Sequence, residues 1–352
     1  MKKLKNTVLT IAVIMCGIIL LTERNIVADG ISKGLSVCGN ILIPSLLPFM
    51  ILSSFAVKSG LADIKSDSVQ HLFKKIFRLP SCCLPAVFFG FTGGYPVGAN
   101  IIASLYEDAK IGRKTALRLM SFCVNAGPAF IITATGTKTL GNTQAGILLF
   151  AGVCVSSVLS GVIFSFVFKD ADTPPSQSSR NLSAADALID SVENSIGKTL
   201  TMCGWVIAFS AVSAVICSMV PKNIADIFFI FAEVTSGVET AAVKGGLPLA
   251  AAVISSGGLC VMCQLIPAIK KCGIKATQYL VFRIVNAIIS YFTAHILLQF
   301  FPLTINVSAG FCADIKSNSA PATVMLLMMC AVFIYDLSSG RIKNLSLKDI
   351  IG

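Results

Sequence analysis

The chain has 352 residues, 55% of them hydrophobic and only 13% charged, whereas a soluble domain carries roughly 25% charged residues. Its mean hydropathy is +0.83, and apolar runs of about 20 residues, long enough to span a bilayer as helix, recur along it. The net charge of +11 lies in short loops between those runs, which is the positive-inside pattern of a membrane protein and argues against a nucleic-acid-binding surface.

Met1-Lys-Lys-Leu-Lys5 followed by an apolar run over 8–21 has the look of a signal peptide. No small-residue cleavage pattern follows it, so it reads as a retained first span. Further apolar segments are expected at 35–57, 82–104, 117–137, 144–168, 199–220, 224–243, 249–269, 276–301 and 321–337. The polar, Pro/Ser-rich stretch from Lys169 reads as a linker between two halves. The resulting division is 1–34 (N-terminal span and loop), 35–168 (first repeat), 169–198 (cytoplasmic linker), 199–301 (second repeat) and 302–352 (C-terminal span and basic tail).

Loop charges set the orientation. Lys58, Lys65, Lys74, Lys75 and Arg78 precede the run 82–104, and Lys110, Arg113, Lys114 and Arg118 follow it. A full crossing would put two basic loops on opposite sides; a re-entrant hairpin puts both in the cytoplasm. Gly90-Phe-Thr-Gly-Gly-Tyr-Pro96, at the centre of that run, supplies the residues for a tight turn. In the second half, 224–243 reads as a hairpin entering from outside, with its tip at Thr235-Ser-Gly237. Lys270, Lys271 and Lys275, and the tail with Arg341, Lys343 and Lys348, then fall inside. The expected fold is all-α and polytopic, with about eight transmembrane helices plus two re-entrant hairpins, and with both termini cytoplasmic.

The halves echo one another in order. Ser36-Val-Cys-Gly39 and Thr201-Met-Cys-Gly204 open a span; Phe91-Thr-Gly-Gly94 and Val234-Thr-Ser-Gly237 mark the tips; Asn125-Ala-Gly-Pro128 and Ser255-Ser-Gly-Gly258 interrupt the next span. An odd number of crossings per unit makes these inverted repeats. Matched interruptions in such repeats point to a substrate site at the bilayer midplane.

Ile41-Leu-Ile-Pro-Ser-Leu-Leu-Pro-Phe49, Gly90-Phe-Thr-Gly-Gly-Tyr-Pro-Val-Gly-Ala99 and the stretch from Leu119 to Ile132 carry a family resemblance. The chain resembles the YlbJ/SpoVV sporulation integral membrane proteins, of the wider nucleoside-recognition Gate-domain group, over residues 30–300. Ala252-Val-Ile-Ser-Ser-Gly-Gly258 is similar to the broken helix of concentrative nucleoside transporters. The resemblance implies an elevator-like carrier that moves dipicolinate across the outer forespore membrane. It departs from the nucleoside carriers in lacking an acid at Thr92-Gly-Gly94, which argues against ordinary nucleoside recognition.

A planar dianion needs positive potential without a large buried charge, and half-helix N-termini supply it. The expected substrate-contacting set is Thr92, Gly93, Gly94, Asn125, Gly127, Thr235, Ser236, Gly237, Ser255, Ser256, Gly257 and Arg283. Close helix packing is the competing reading for the glycines. Arg283 is either a carboxylate clamp or snorkels to the cytoplasmic interface. Glu233 and Glu239 are candidates for a coupling proton or sodium ion, or for pairing with Lys244. Cysteine spacing, with 13 cysteines mostly in apolar runs, calls for no metal, and no cofactor is expected. The motifs of metalloproteases, serine hydrolases and nucleotide-binding loops are missing, so no enzyme is expected. The expected partners are the lipid bilayer, the small anion and a second copy of the chain in a homo-oligomer. A nucleoside carrier and a non-transporting spore maturation or assembly protein are the alternative readings.

Overall fold

The computed structural model describes residues 10, 13–14, 17–60, 67–168 and 183–303, and all regular structure among them is helical. The expected span at 321–337 lies outside them, as do residues 8–9, 11–12 and 15–16 of the expected first span and residues 169–182 of the expected linker. Among the described residues, four helices are long and apolar enough to cross a membrane, five if one bent pair counts as a span. These features make the chain a polytopic membrane protein.

The bent pair is α1 (Arg24–Val37), which widens into a π-helical turn at Cys38–Leu42 and continues as α2 (Ile43–Lys58). The bend is 50°. Pro44 and Pro48 remove backbone donors just past the widened turn, a recognised cause of kinking. After α3 (Asp67–Phe77), α4 (Leu84–Thr92) and α5 (Tyr95–Glu107) form a hairpin turned by Gly93 and Gly94. Gly94 has φ +93°, a conformation open to glycine at little steric cost. Nine residues of helix rise only about 14 Å, so α4 is too short to cross a bilayer alone.

α6 (Arg113–Phe122) stops at Cys123, and the chain has no regular structure from Val124 to Gly127 before a π-helical segment at Ala129–Thr139. The expected span at 117–137 is therefore two pieces around a break. α7 (Thr143–Val167) follows, capped by the Asn142 side chain, which accepts from the Gln144 and Ala145 amides at 2.9 and 3.1 Å.

The second half has the same order. α8 (Ala184–Met219) is long; α9 (Lys222–Ala232) and the first part of α10 (Val234–Ser256) form a hairpin; α10 kinks at Gly246 (φ +70°) and ends at Gly257 (φ +77°). α11 (Gly258–Lys271) and α12 (Ala276–Phe300) complete it. The second hairpin turns at Glu233, two residues before the expected Thr235. Gly237 lies a turn further along, where an added Cβ would come within 2.6 Å of the Phe229 carbonyl oxygen. That glycine serves close packing of the two arms, not the turn.

One end of the bundle gathers the basic loops. Lys58 pairs with Asp190, Lys271 with Glu107 at 2.8 Å, and Arg113 Nε donates to the Gly273 carbonyl at 2.9 Å. Arg118 is not a loop charge: it is buried in α6 and donates to the Phe77 and Arg78 carbonyls at the end of α3. A buried arginine without a carboxylate is tolerable there because those carbonyls form the negative end of the helix.

The first hairpin docks on the break through two glycines. A Cβ on Gly90 or Gly98 would lie 2.1 or 2.4 Å from the Cys123 carbonyl oxygen. Gly98→Ala should lower stability by about 1–3 kcal/mol through overpacking. Gly204→Ala, which meets nothing within 4 Å, should be neutral or stabilising by up to about 1 kcal/mol. Thermal unfolding midpoints of the purified variants in detergent check both.

Candidate functional site

Both hairpin turns, the first helix break and the start of α11 meet around one cavity of about 60 Å³. Gly94, Tyr95 and Pro96 come from the first turn, Ala126 and Gly127 from the first break, and Glu233, Val234 and Thr235 from the second turn. Cys260, Val261 and Gln264 come from the first two turns of α11, just past the second break. Gly94 and Gly127 are in backbone contact: a Cβ on Gly127 would lie 3.1 Å from the Gly94 nitrogen and 3.2 Å from the Thr92 carbonyl oxygen.

The breaks are held by Arg283. Its side chain is 2% exposed. One terminal nitrogen donates to the Val124 carbonyl at 2.5 Å, the other to the Ser255 carbonyl. Val124 lies just past the end of α6 and Ser255 in the last turn of α10, so the guanidinium bridges two negative helix ends. Its carbon sits 5.7 Å from the Tyr95 ring centroid and 5.8 Å from that of Tyr279, within cation–π range. Snorkelling is thus excluded for Arg283. It lies behind the Tyr95 ring, and Tyr95 forms the cavity wall.

Arg283 belongs to a polar stripe on α12. Asn286, one turn on, donates to the Ser121 carbonyl at 2.9 Å and accepts from the Ser160 hydroxyl at 2.5 Å. Ser290 and Thr293 donate to the Ala251 and Gly152 carbonyls at 3.2 and 3.1 Å. The spacing of three, four and three is one helix face. Tyr95 adds a tie across the halves, its hydroxyl donating to the Ile254 carbonyl.

The other expected residues divide. Asn125 is 2% exposed, its amide nitrogen donating to the Phe122 carbonyl at 2.6 Å. The Asn125 side-chain oxygen, the Ser255 hydroxyl and Arg283 Nε have no hydrogen-bond partner among the described residues. All three belong to the junction of the two breaks. Thr92 and Ser256 donate to carbonyls of their own helices, Phe88 and Val253, the local back-bonding common to such residues. Gly257 ends α10 against the Tyr95 ring.

At the second turn, Glu233 caps α10: its two oxygens accept from the Thr235 and Ser236 amides at 2.9 and 2.7 Å. Those amides are taken by the chain's own carboxylate, so the N-terminus of α10 is not an open anion site. The uncapped ends facing the cavity are those of α5 and α11, whose N-cap residues are Gly94 and Gly257 and which have no side-chain cap. Lys244 pairs with Asp226 at 2.9 Å. Glu239 is half-buried on α10 and is not part of the cavity wall. Tyr95 and Gln264 were not expected. Tyr95 was signalled by its place directly after Gly94; Gln264 was signalled only as a lone amide two turns past a break.

Over 129 residues, 37% of its length, the chain is 32% identical to the sporulation integral membrane protein YlbJ of Bacillus subtilis (strain 168). The resemblance to the YlbJ family holds. The match spans 32% of that protein's length. No family model and no solved structure matches the chain.

Arg283→Met should strand two buried carbonyls, each costing about 1–3 kcal/mol. Arg283→Lys should recover only part of the loss, because an ammonium cannot reproduce the two-pronged geometry. Thermal unfolding in detergent measures both, and equal stability of all three proteins would remove Arg283 from its bridging role.

Proposed function

We propose that the chain is a secondary carrier of a small organic anion, working by elevator-like alternating access, with the substrate held where the hairpin tips meet the helix breaks. The observation that carries this reading is the convergence of two turns, the first break and the start of α11 on one cavity. Interrupted backbone at membrane depth is tolerated where it is packed in protein or lines a cavity, and helix ends of this kind recur as substrate sites in carriers built from inverted repeats. The shared element order of the halves supports such a repeat. So does the approach of Cys38 to the Cys203 carbonyl at 3.8 Å, since these cysteines hold matching places in the two span-opening motifs.

The expected cargo is dipicolinate, moved into the developing forespore across its outer membrane. Support for the sporulation setting comes from the YlbJ likeness; support for an anion comes from the uncapped N-termini of α5 and α11 and from Arg283 behind Tyr95. On this reading the two hairpins are re-entrant, the family is of Gate type, and the face carrying Lys58, Arg113 and Lys271 is cytoplasmic. The cavity of about 60 Å³ is too small for an aromatic dicarboxylate, so loading requires the second turn to move. Beside that turn lies a larger cavity of about 250 Å³, which shares Val37, Val206, Glu233 and Thr235 with it. Opening the turn merges the two.

The test is uptake of radiolabelled dipicolinate by proteoliposomes. Saturable uptake is expected, unmoved by excess uridine and reduced about tenfold, equivalent to roughly 1.4 kcal/mol, in Gln264→Ala. Inhibition by uridine would assign the site to nucleosides. No uptake of either by folded protein would favour a maturation or assembly role.

A further inference from the structure

A third cavity, of about 20 Å³, lies where α2, α5 and α8 come together towards the basic end of the bundle. The faces that line it continue those that line the tip cavity. Leu42 and Leu46 border the tip cavity, and Met50, Ser54 and Lys58 border this one, in steps of four residues. On α8, Val206 and Met202 border the tip cavity, and Lys198 and Ser195 border this one, in steps of four, four and three. α5 runs from Tyr95 and Pro96 at the first cavity to Asn100 and Ser104 at the second. Such steps keep to one face of a helix. From Leu46 to Ser54 the chain rises about 12 Å. Met50, Val97 and Met202, all buried, stand at the boundary between the two cavities, and the Thr199 hydroxyl reaches the Met50 sulfur at 3.6 Å.

The lining is polar and unsatisfied. The side chains of Ser54, Asn100, Ser104, Ser195 and Lys198 form no hydrogen bond or ion pair with a described residue. Ser195 is 2% exposed, yet its hydroxyl oxygen is not sealed off: it keeps accessible surface, and Ser195 lies on the cavity wall. Lys58 and Lys271 each have a carboxylate, Asp190 and Glu107. Those four charges are the ones that act on Lys198. Three ammoniums then face two carboxylates, and the surplus charge is that of Lys198.

An ammonium, an amide and three hydroxyls form a donor-rich set, suited to an oxyanion. We infer that this cavity binds a carboxylate group of an organic anion, with Lys198 supplying the charge and Ser195 and Asn100 donating to its oxygens. A volume of about 20 Å³ admits little more than a water-sized group. The cavity therefore takes the carboxylate head, with the rest of the anion at the part-exposed end marked by Lys58 and Lys198. The binding site stands on its unpartnered donors. Its place on the way from the basic end to the tip cavity rests on the carrier reading; there, attraction by Lys198 raises the local concentration of the anion.

The test uses the purified full chain in an uncharged detergent, with dipicolinate as the probe. Sodium chloride at equal pH and ionic strength is the control, which holds screening constant. Reductive methylation of lysines by formaldehyde and dimethylamine–borane is read peptide by peptide by mass spectrometry. Dipicolinate is expected to slow methylation of Lys198 several-fold and to leave that of the half-exposed Lys271 unchanged. Its uncharged dimethyl ester should protect neither. Ser195→Ala and Asn100→Ala each remove a donor that has no protein partner, so the unfolding midpoint in chloride should stay the same while protection of Lys198 weakens. Gln264→Ala, at the tip cavity, should leave that protection intact. Equal methylation of Lys198 in dipicolinate and chloride would overturn the inference, as would protection undiminished in both donor variants or lost in Gln264→Ala. Protection by phosphatidylglycerol and not by dipicolinate would give the cavity to a lipid phosphate and overturn it too. Protection of Lys198 without uptake into proteoliposomes would uphold the site and overturn only the carrier reading; uptake without protection would do the reverse.

Discussion

The guanidinium of Arg283, buried between the Val124 and Ser255 carbonyls, is the tie on which the arrangement of the two halves depends. An unpaired positive charge inside a membrane protein is expensive. Here the charge is met by the carbonyl ends of two helices and flanked by the rings of Tyr95 and Tyr279. The bargain is mutual. A helix that stops in the middle of a bilayer leaves carbonyls bare, and no water is present to receive them. One forked side chain serves both breaks, and so brings into contact segments 131 residues apart in the chain (Val124 to Ser255).

Around that tie the rest of α12 acts as a polar rail. Asn286, Ser290 and Thr293 each donate to a carbonyl of α6, α10 or α7. Glycine contacts then bring the backbones close enough for the ends to meet: Gly90 and Gly98 against Cys123, and Gly94 against Gly127. The result is a cavity whose walls are largely backbone turns. Its electrostatics come from helix ends, one carboxylate at Glu233, and a cation held behind a ring. The carboxylate serves as a cap, a wall of the tip cavity and a wall of the larger cavity at once. A change at Glu233 therefore reaches the turn, the anion pocket and the outer cavity together.

Several features were open to reading in the linear chain, and the exceptions are instructive. Gly93-Gly94, Asn125-Ala-Gly-Pro128 and Ser255-Ser-Gly-Gly258 signalled a turn and two breaks, and the structure has them there, because Gly and Pro act on their own backbone whatever surrounds them. The second turn was misplaced by two residues for a related reason. Gly237 drew attention as a turn former, but its lack of a side chain is used for packing on Phe229. The turn itself is made by a capping carboxylate, Glu233, which has no such compositional mark. Arg118 was counted among the loop charges and Arg283 was read as a clamp or a snorkelling residue, because position along the chain does not say which way a long side chain points. Both turn inward to carbonyls contributed by other elements.

The chain by itself determined that this is a helical membrane protein, similar to YlbJ over part of its length, where its helices stop, and which glycines and prolines stop them. Hydropathy and backbone stereochemistry are local properties, and they act through covalent neighbours. Tertiary structure alone decided that both turns, the first break and the start of α11 share one cavity, that Arg283 stands behind Tyr95 and not in the cavity, and that Glu233 occupies the amides of α10. Hydrogen-bond partnership in a medium without water is settled by which groups are brought within reach, and reach is set by packing between segments far apart in the sequence.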